Sequence, residues 1–175
     1  MRTVLAKINE LEKIQNMYTK IVEHMDANEI RIWNENYPNE EFEDDIKNKQ
    51  LYLLKEKDNI LGAFVMFEHE NPEEGIEWKD KNAKAYILNR VGVNVDYLRQ
   101  GIGQIIINSA CKIATKKGAG YLRLLVSELN NPAIELYTKC KFNKLKGIHE
   151  AKVNENCTLN EYGFEMQLDK TSDVK

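Results

Sequence analysis

A mixed α/β sheet is the fold that this chain of 175 residues predicts. Three observations carry that expectation. Residues 85–95 form an apolar run that passes through a polar turn and becomes a helical pattern over 102–117. Tyr-Leu-Arg-Leu-Leu-Val-Ser at 121–127 has the composition of a buried strand. A second helical pattern follows at 131–139, so that strand is entered and left through helical connections. The residues leave open whether the sheet is of regular α/β or of α+β type.

In chain order, 3–6 can form a short first strand, and Asn9 with Glu12 three residues on has the form of a helix N-cap with a capping box. Leu11, Ile14, Tyr18, Ile21, Val22 and Met25 recur at helical spacing, which predicts an amphipathic helix to 24–25. The stretch 28–38 is aperiodic but holds Ile30, Ile32, Trp33 and Tyr37, aromatics suited either to cover a core or to wall a pocket. Asn39 is placed to cap a second helix to 49, with Phe42 and Ile46 inward and Glu40, Glu41, Glu43, Asp44 and Asp45 on a solvated face. Residues 51–67 read as a β-hairpin turning at Asp58-Asn59, and 70–83 as a polar loop carrying Trp78. The helix over 102–117 buries Ile106, Ala110, Ile113 and Ala114 and closes at Gly118 and Gly120. Asn130 or Asn131 caps the helix over 131–139, with Pro132 in its first turn. Two strands at 144–149 and 162–168, joined by a polar loop, complete the sheet, and the tail 169–175 is expected to fray.

Composition narrows the function classes. Hydrophobic residues at 42% and charged residues at 30% suit one globular domain over 1–175 with a sizeable core. A net charge of −3 argues against a nucleic-acid partner, which rewards a basic face. Cys111, Cys140 and Cys157 have neither the number nor the spacing of a disulfide framework or a metal site. No apolar signal core or membrane-length run is visible, so a cytoplasmic protein without a membrane partner is expected.

The sequence is organised around 91–107. Gly101 and Gly103 fall where the turn after the strand becomes a helix, and glycine there permits close approach of a bulky ligand. The first N–H groups of that helix are unpaired and lie at the positive end of its dipole, with Arg99 beside them. Such a turn is either an ordinary packed connection or an anion cradle whose natural ligand is a phosphate. The P-loop pattern is absent, and the dinucleotide fingerprint lacks its third glycine, since Ile106 stands there.

A third phosphate-binding pattern fits better. Residues 91–103 resemble the strand and turn of the GNAT superfamily of acyl-CoA N-acyltransferases: Val-x-Val, then a basic residue, x, Gly, x, Gly. A second block, Asn130-Asn131-Pro132-Ala133-Ile134-Glu135-Leu136-Tyr137-Thr138-Lys139-Cys140-Lys141-Phe142, is similar to that family's Asn-x-x-Ala-x-x-Leu-Tyr-x-x-x-Gly-Phe signature. Leu98, Val95 and Lys141 depart from the pattern, where a Gln or Arg, a Pro and a Gly are usual. The resemblance implies a mixed, mostly antiparallel sheet of about six to seven strands flanked by about four helices. Its two central parallel strands are expected to splay apart.

It also implies an acetyl-CoA-dependent N-acetyltransferase. The acetyl group passes to a primary amine of a small molecule or peptide by direct attack in a ternary complex. Cofactor contacts are then expected from the backbone of Val91 and Val93, from Arg99, Gln100, Gly101, Ile102, Gly103 and Gln104 around the diphosphate, and from Asn130. Tyr137 is the candidate general acid for the departing thiolate, and Trp33, Tyr37 and Trp78 are candidate walls of the acceptor pocket. No metal is implied, and a second copy of the chain is a candidate partner. The strand 85–95 carries no carboxylate, so the general base is unassigned; Glu68, Glu70, Glu77 and Asp96 are candidates by position only. Two rival readings stand beside the enzyme: a non-catalytic acyl-CoA-binding or sensor domain, and a nucleotide-binding module.

Overall fold

The computed structural model of the protein describes residues 1–154 and 157–169. Eight strands and four helices form in the order β1 (Arg2–Leu5), α1 (Leu11–Ala27), α2 (Phe42–Lys47), β2 (Leu51–Glu56), β3 (Asn59–Glu68), β4 (Ala85–Val93), α3 (Ile102–Lys116), β5 (Tyr121–Ser127), α4 (Asn131–Lys139), β6 (Asn143–Lys144), β7 (His149–Asn154) and β8 (Cys157–Gln167). Among the described residues β1 with β2, β2 with β3, and β8 with β5, β6 and β7 pair antiparallel, whereas β4 and β5 run parallel. This is the mixed, mostly antiparallel sheet that the resemblance implies, with one parallel pair inside it. The chain clusters into two compact units, residues 1–66 with 89–107, and residues 67–88 with 108–175.

In the first unit the strands run in the order β1, β2, β3, β4. The hairpin of β2 and β3 turns at Lys57-Asp58, one residue earlier than expected, because Lys57 takes a left-handed conformation, φ 53, and lets Glu56 face Asn59. Helix α1 buries Ile14, Met17, Tyr18, Ile21 and Val22, positions that share one face at helical spacing. Its start departs from expectation. A short 3-10 turn at Ile8–Glu10 precedes it, and the Glu10 carboxylate accepts the Lys7 N–H at 3.0 Å, so the cap sits two residues before Asn9. Asn39 likewise opens a 3-10 turn rather than capping α2, and Tyr37-Pro38 ahead of it is cis. Phe42 is fully buried and packs 4.5 Å from the Tyr18 ring.

In the second unit β4 contributes its first residues, paired in parallel with β5 from Ala85↔Tyr121 to Ile87↔Arg123. Strand β5 is paired along its length with β8, which also carries β6 and β7. Two strands joined by a loop were expected after Phe142; β7 and β8 instead form a hairpin that fills the supposed loop. Gly118, at φ 79, ends α3 as its position suggested, with its N–H on the Thr115 carbonyl at 2.9 Å. The core holds a buried ion pair: Arg123 Nε donates to Glu165 Oε2 at 3.3 Å, and Trp78 stacks 5.0 Å from that guanidinium. Cys111 and Cys140 are free thiols, and the side chain of Cys157 lies outside the described residues, as do residues 170–175 of the expected frayed tail. No helix among the described residues is long and apolar enough to cross a membrane.

Candidate active site

In the first unit β4 is irregular at Arg90, which has φ 48 inside an otherwise extended strand. Its N–H donates to Asn89 Oδ1 at 2.8 Å. Its carbonyl accepts the Tyr18 hydroxyl at 2.5 Å, with the Ala63 carbonyl a second, longer acceptor at 3.3 Å. Gly92 lets that tyrosine in: a Cβ there would stand 2.7 Å from the ring. The strand ends at Val93, two residues before the expected point, because Asn94 turns the chain. Its Oδ1 accepts the Asp96 N–H at 3.1 Å, and its amide donates to the Ile60 carbonyl at 2.9 Å.

A single 3-10 turn at Val95–Tyr97 leads to an exposed loop, and α3 begins at Ile102. Two residues of that loop have left-handed backbones, Arg99 at φ 60 and Gly101 at φ 76. The first backbone bond closing the helix runs from the Ile105 N–H to the Gly101 carbonyl at 3.2 Å. Among the described residues no backbone acceptor is found for the N–H groups of Arg99, Gln100, Gly101, Ile102, Gly103 or Gln104. Ile102 anchors the turn in the core at 2% exposure, while Arg99, Gln100, Gly101 and Gln104 are exposed. A Cβ built on Gly101 meets nothing within 4 Å. Unpaired donors, a helix N-terminus, a cationic side chain and open space suit a diphosphate. The six predicted residues of the turn are therefore neighbours in one stretch of backbone. Val91 and Val93 flank Gly92 on the strand that leads to them.

Of the predicted acceptor walls, Trp33 and Tyr37 belong to the first unit and Trp78 to the second. Trp33 and Tyr37 are half-buried and stand edge to face at 6.5 Å, with Trp33 5.8 Å from Tyr18. Trp78, in the second unit, is 5% exposed and covers Arg123 and the edge of His69. It is a buried side chain of that unit. Asp45 also departs from its expected solvated face: its side chain is 9% exposed and pairs with Arg90. Glu41 pairs with the same guanidinium at 3.2 Å. Both acids are thus engaged by one cation. Sequence reasoning passed over Arg90, although a charge within an apolar strand demands a partner. Acids four residues apart, at 41 and 45, were the available signal for that partner.

In the second unit Asn130 caps α4 as expected, its Oδ1 accepting the Ala133 N–H at 3.3 Å. Tyr137 is 7% exposed, with ring centroids of Phe142 and Phe164 at 6.0 and 6.2 Å. Burial, with the Cys140 thiol beside it, pushes the Tyr137 phenol well above its ordinary range. Among the described residues its hydroxyl has no hydrogen-bond partner. No cluster of three or more metal-ligating side chains is found among them either.

The turn and the α4 block both lie within residues 12–142, which match the model of the Acetyltransferase (GNAT) family. The chain belongs to that family, whose members use acetyl-CoA. Solved structures agree on the fold. An acetyltransferase of the GNAT family from Streptococcus agalactiae is similar with a TM-score of 0.72 at 13% identity, over 97% of this chain and 96% of that one. The protein yncA of Salmonella typhimurium, solved with its cofactor acetyl-CoA, has a TM-score of 0.70 at 15% identity, over 100% and 98%. The ribosomal-protein-S18-alanine N-acetyltransferase of Escherichia coli has a TM-score of 0.69 at 14% identity, over 99% and 97%. No curated protein matches the chain by sequence.

Proposed function

We propose that the protein is an N-acetyltransferase that moves an acetyl group from acetyl-CoA to a primary amine of a small molecule or peptide. The observation that carries this reading is the turn at 99–104, whose six N–H groups lack backbone acceptors among the described residues and whose left-handed Arg99 and Gly101 are exposed to solvent. Those donors and the Arg99 guanidinium hold the diphosphate, each charge-assisted bond contributing about 1.5–3 kcal/mol. When bound, acetyl-CoA supplies an activated thioester and a good leaving group. The backbone of Val91 and Val93 pairs with the peptide-like arm as an added strand does. An N–H of the same strand stabilises charge on the thioester oxygen, a contribution of about 2.7–4 kcal/mol in other enzymes.

Tyr137 faces the leaving sulfur in this reading. A phenol made less acidic by burial keeps its proton across the physiological range, so it acts as a hydrogen-bond donor that strengthens as charge grows on sulfur. Asn130 acts through α4, whose first turn it organises. Trp33 and Tyr37 line the acceptor side. Acceptor, acetyl donor and enzyme form one ternary complex, in a cytoplasmic protein acting as a single domain.

A thermal-shift screen combined with thiol release tests the reading. Acetyl-CoA and CoA should raise Tm where NAD and ATP do not, and an amine panel should release thiol from acetyl-CoA. Stabilisation by CoA with no thiol release for any amine would instead identify an acyl-CoA sensor, the reading favoured by the lack of a carboxylate on β4.

A further inference from the structure

We propose that Arg90 is a positioning residue for acetyl transfer: held by Glu41 just ahead of α2, by Asp45 on α2 and by Tyr18 on α1, it fixes the kink from which the backbone at 91–93 runs. The inference rests on the reading above, in which that backbone carries the thioester.

Five residues converge on this one side chain and its backbone. Nη2 lies 3.2 Å from Glu41, and Nη1 lies 3.3 Å from each carboxylate oxygen of Asp45. The guanidinium stands 5.5 Å over the Tyr37 ring, and the side chain is 11% exposed. On the main chain, Asn89 takes the N–H and Tyr18 the carbonyl. An ion pair that only stabilised the fold would need no left-handed backbone. Glycine would adopt φ 48 without strain, whereas an L side chain rarely does. A strained residue over-determined by its surroundings, immediately before the strand segment assigned to chemistry, points to a fixed geometry being maintained there. Tyr18 links the two halves of the device. Its hydroxyl meets Arg90 and its ring fills the space that Gly92 leaves.

Charge gives the device a pH dependence. Burial raises the Asp45 carboxyl to about 6, opposed by Arg90 and assisted by Glu41 and Asp44, the charged groups that act on it. Asp45 Oδ2 and Arg90 Nε are buried without an aligned hydrogen bond. Acid that protonates Asp45 therefore removes it as a charged anchor of the guanidinium.

The test uses the full chain and the variants Arg90→Gln, Arg90→Lys and Asp45→Asn. Hydrogen exchange of the ligand-free protein should speed up at least tenfold across 89–94 in Arg90→Gln, with α3 unchanged. Its kcat for thiol release should fall at least tenfold while CoA affinity stays within threefold, and Arg90→Lys should recover part of the loss. Asp45→Asn, which keeps the side-chain shape, should lose an acid limb of kcat near pH 6 that the native protein shows. Unchanged exchange at 89–94 together with kcat within twofold overturns the proposal. So does an intact acid limb in Asp45→Asn, a readout that survives even if Arg90→Gln fails to fold. A native protein that releases no thiol overturns the assigned reaction, and the exchange result then still decides whether Arg90 holds the strand.

Discussion

Tyr137 combines three properties that rarely coincide in a core aromatic. It is buried against Phe142 and Phe164, its hydroxyl has no partner among the described residues, and its acidity is weakened by that burial. A hydroxyl with no protein partner is free to donate its proton to an occupant of the site. Tyr137→Phe should therefore leave the fold unharmed and CoA affinity within about twofold, while lowering kcat about 10- to 100-fold. Equal losses in affinity and turnover would remove the acid role. Because the phenol titrates well above its usual range, any fall of kcat between pH 8 and 10 should persist in the phenylalanine variant. Gly92 is the opposite kind of residue, needed for what it lacks. A methyl group there would sit 2.7 Å from Tyr18, so Gly92→Ala should destabilise by about 1–3 kcal/mol, read as a lower Tm.

At the scale of elements, α4 shows how one side chain serves two ends. Asn130 satisfies the Ala133 N–H, and Asn130→Ala should cost about 1 kcal/mol of stability while Asn130→Asp keeps the cap. If Asn130 also touches cofactor, the alanine variant weakens CoA binding beyond the aspartate one, which calorimetry separates. The limits of α4 and β5 were legible because short-range chemistry sets them: a cap, a proline in the first turn, and an unbroken apolar run. The turn at 99–104 was legible for the same reason. Elsewhere the deciding partner is remote in sequence. Asp45 faces inward only because Arg90, 45 residues on, needs it, and no period in α2 encodes that. The β7–β8 hairpin escaped notice although Ala151 and Val153 alternate with Glu150, Lys152 and Asn154, because so short and polar a run also has the composition of a loop. Lys7 took the cap from Asn9 by its backbone N–H, which any residue type could supply.

Over the whole molecule, the carboxylates fall into two groups with opposite pH behaviour, and their signs can be separated. Burial is the largest influence on Glu10 and Glu73, but hydrogen bonds and nearby positive charge, from Lys55 and Lys7 for Glu10 and from His69, the Glu73 N–H and His149 for Glu73, together outweigh it and hold both below the usual glutamate value. Their stabilisation is present above the unfolded value, about 4.3, and is lost as pH falls through their lower folded values. Asp45 and Glu161 are raised, chiefly by burial, Asp45 to about 6. Their contribution is fully present below the unfolded values, about 3.9 and 4.3, and declines as pH rises through the folded ones. Between pH 6.5 and 5, then, Asp45 is gaining protons and stabilising the fold, whereas Glu10 and Glu73 have not begun to lose their effect. For a carboxyl moved from its unfolded value to about 6, the gain reaches about 3 kcal/mol when complete. The same protonation frees one anchor of Arg90. Activity and stability should consequently part company in this window: kcat falls from pH 6.5 to 5, while the difference in Tm between the native chain and Asp45→Asn shifts toward the native chain. Parallel melts and rate profiles of the two proteins measure both quantities. If kcat and that difference in Tm decline together on acidification, acid is unfolding the protein rather than loosening β4, and the role given to Asp45 is wrong.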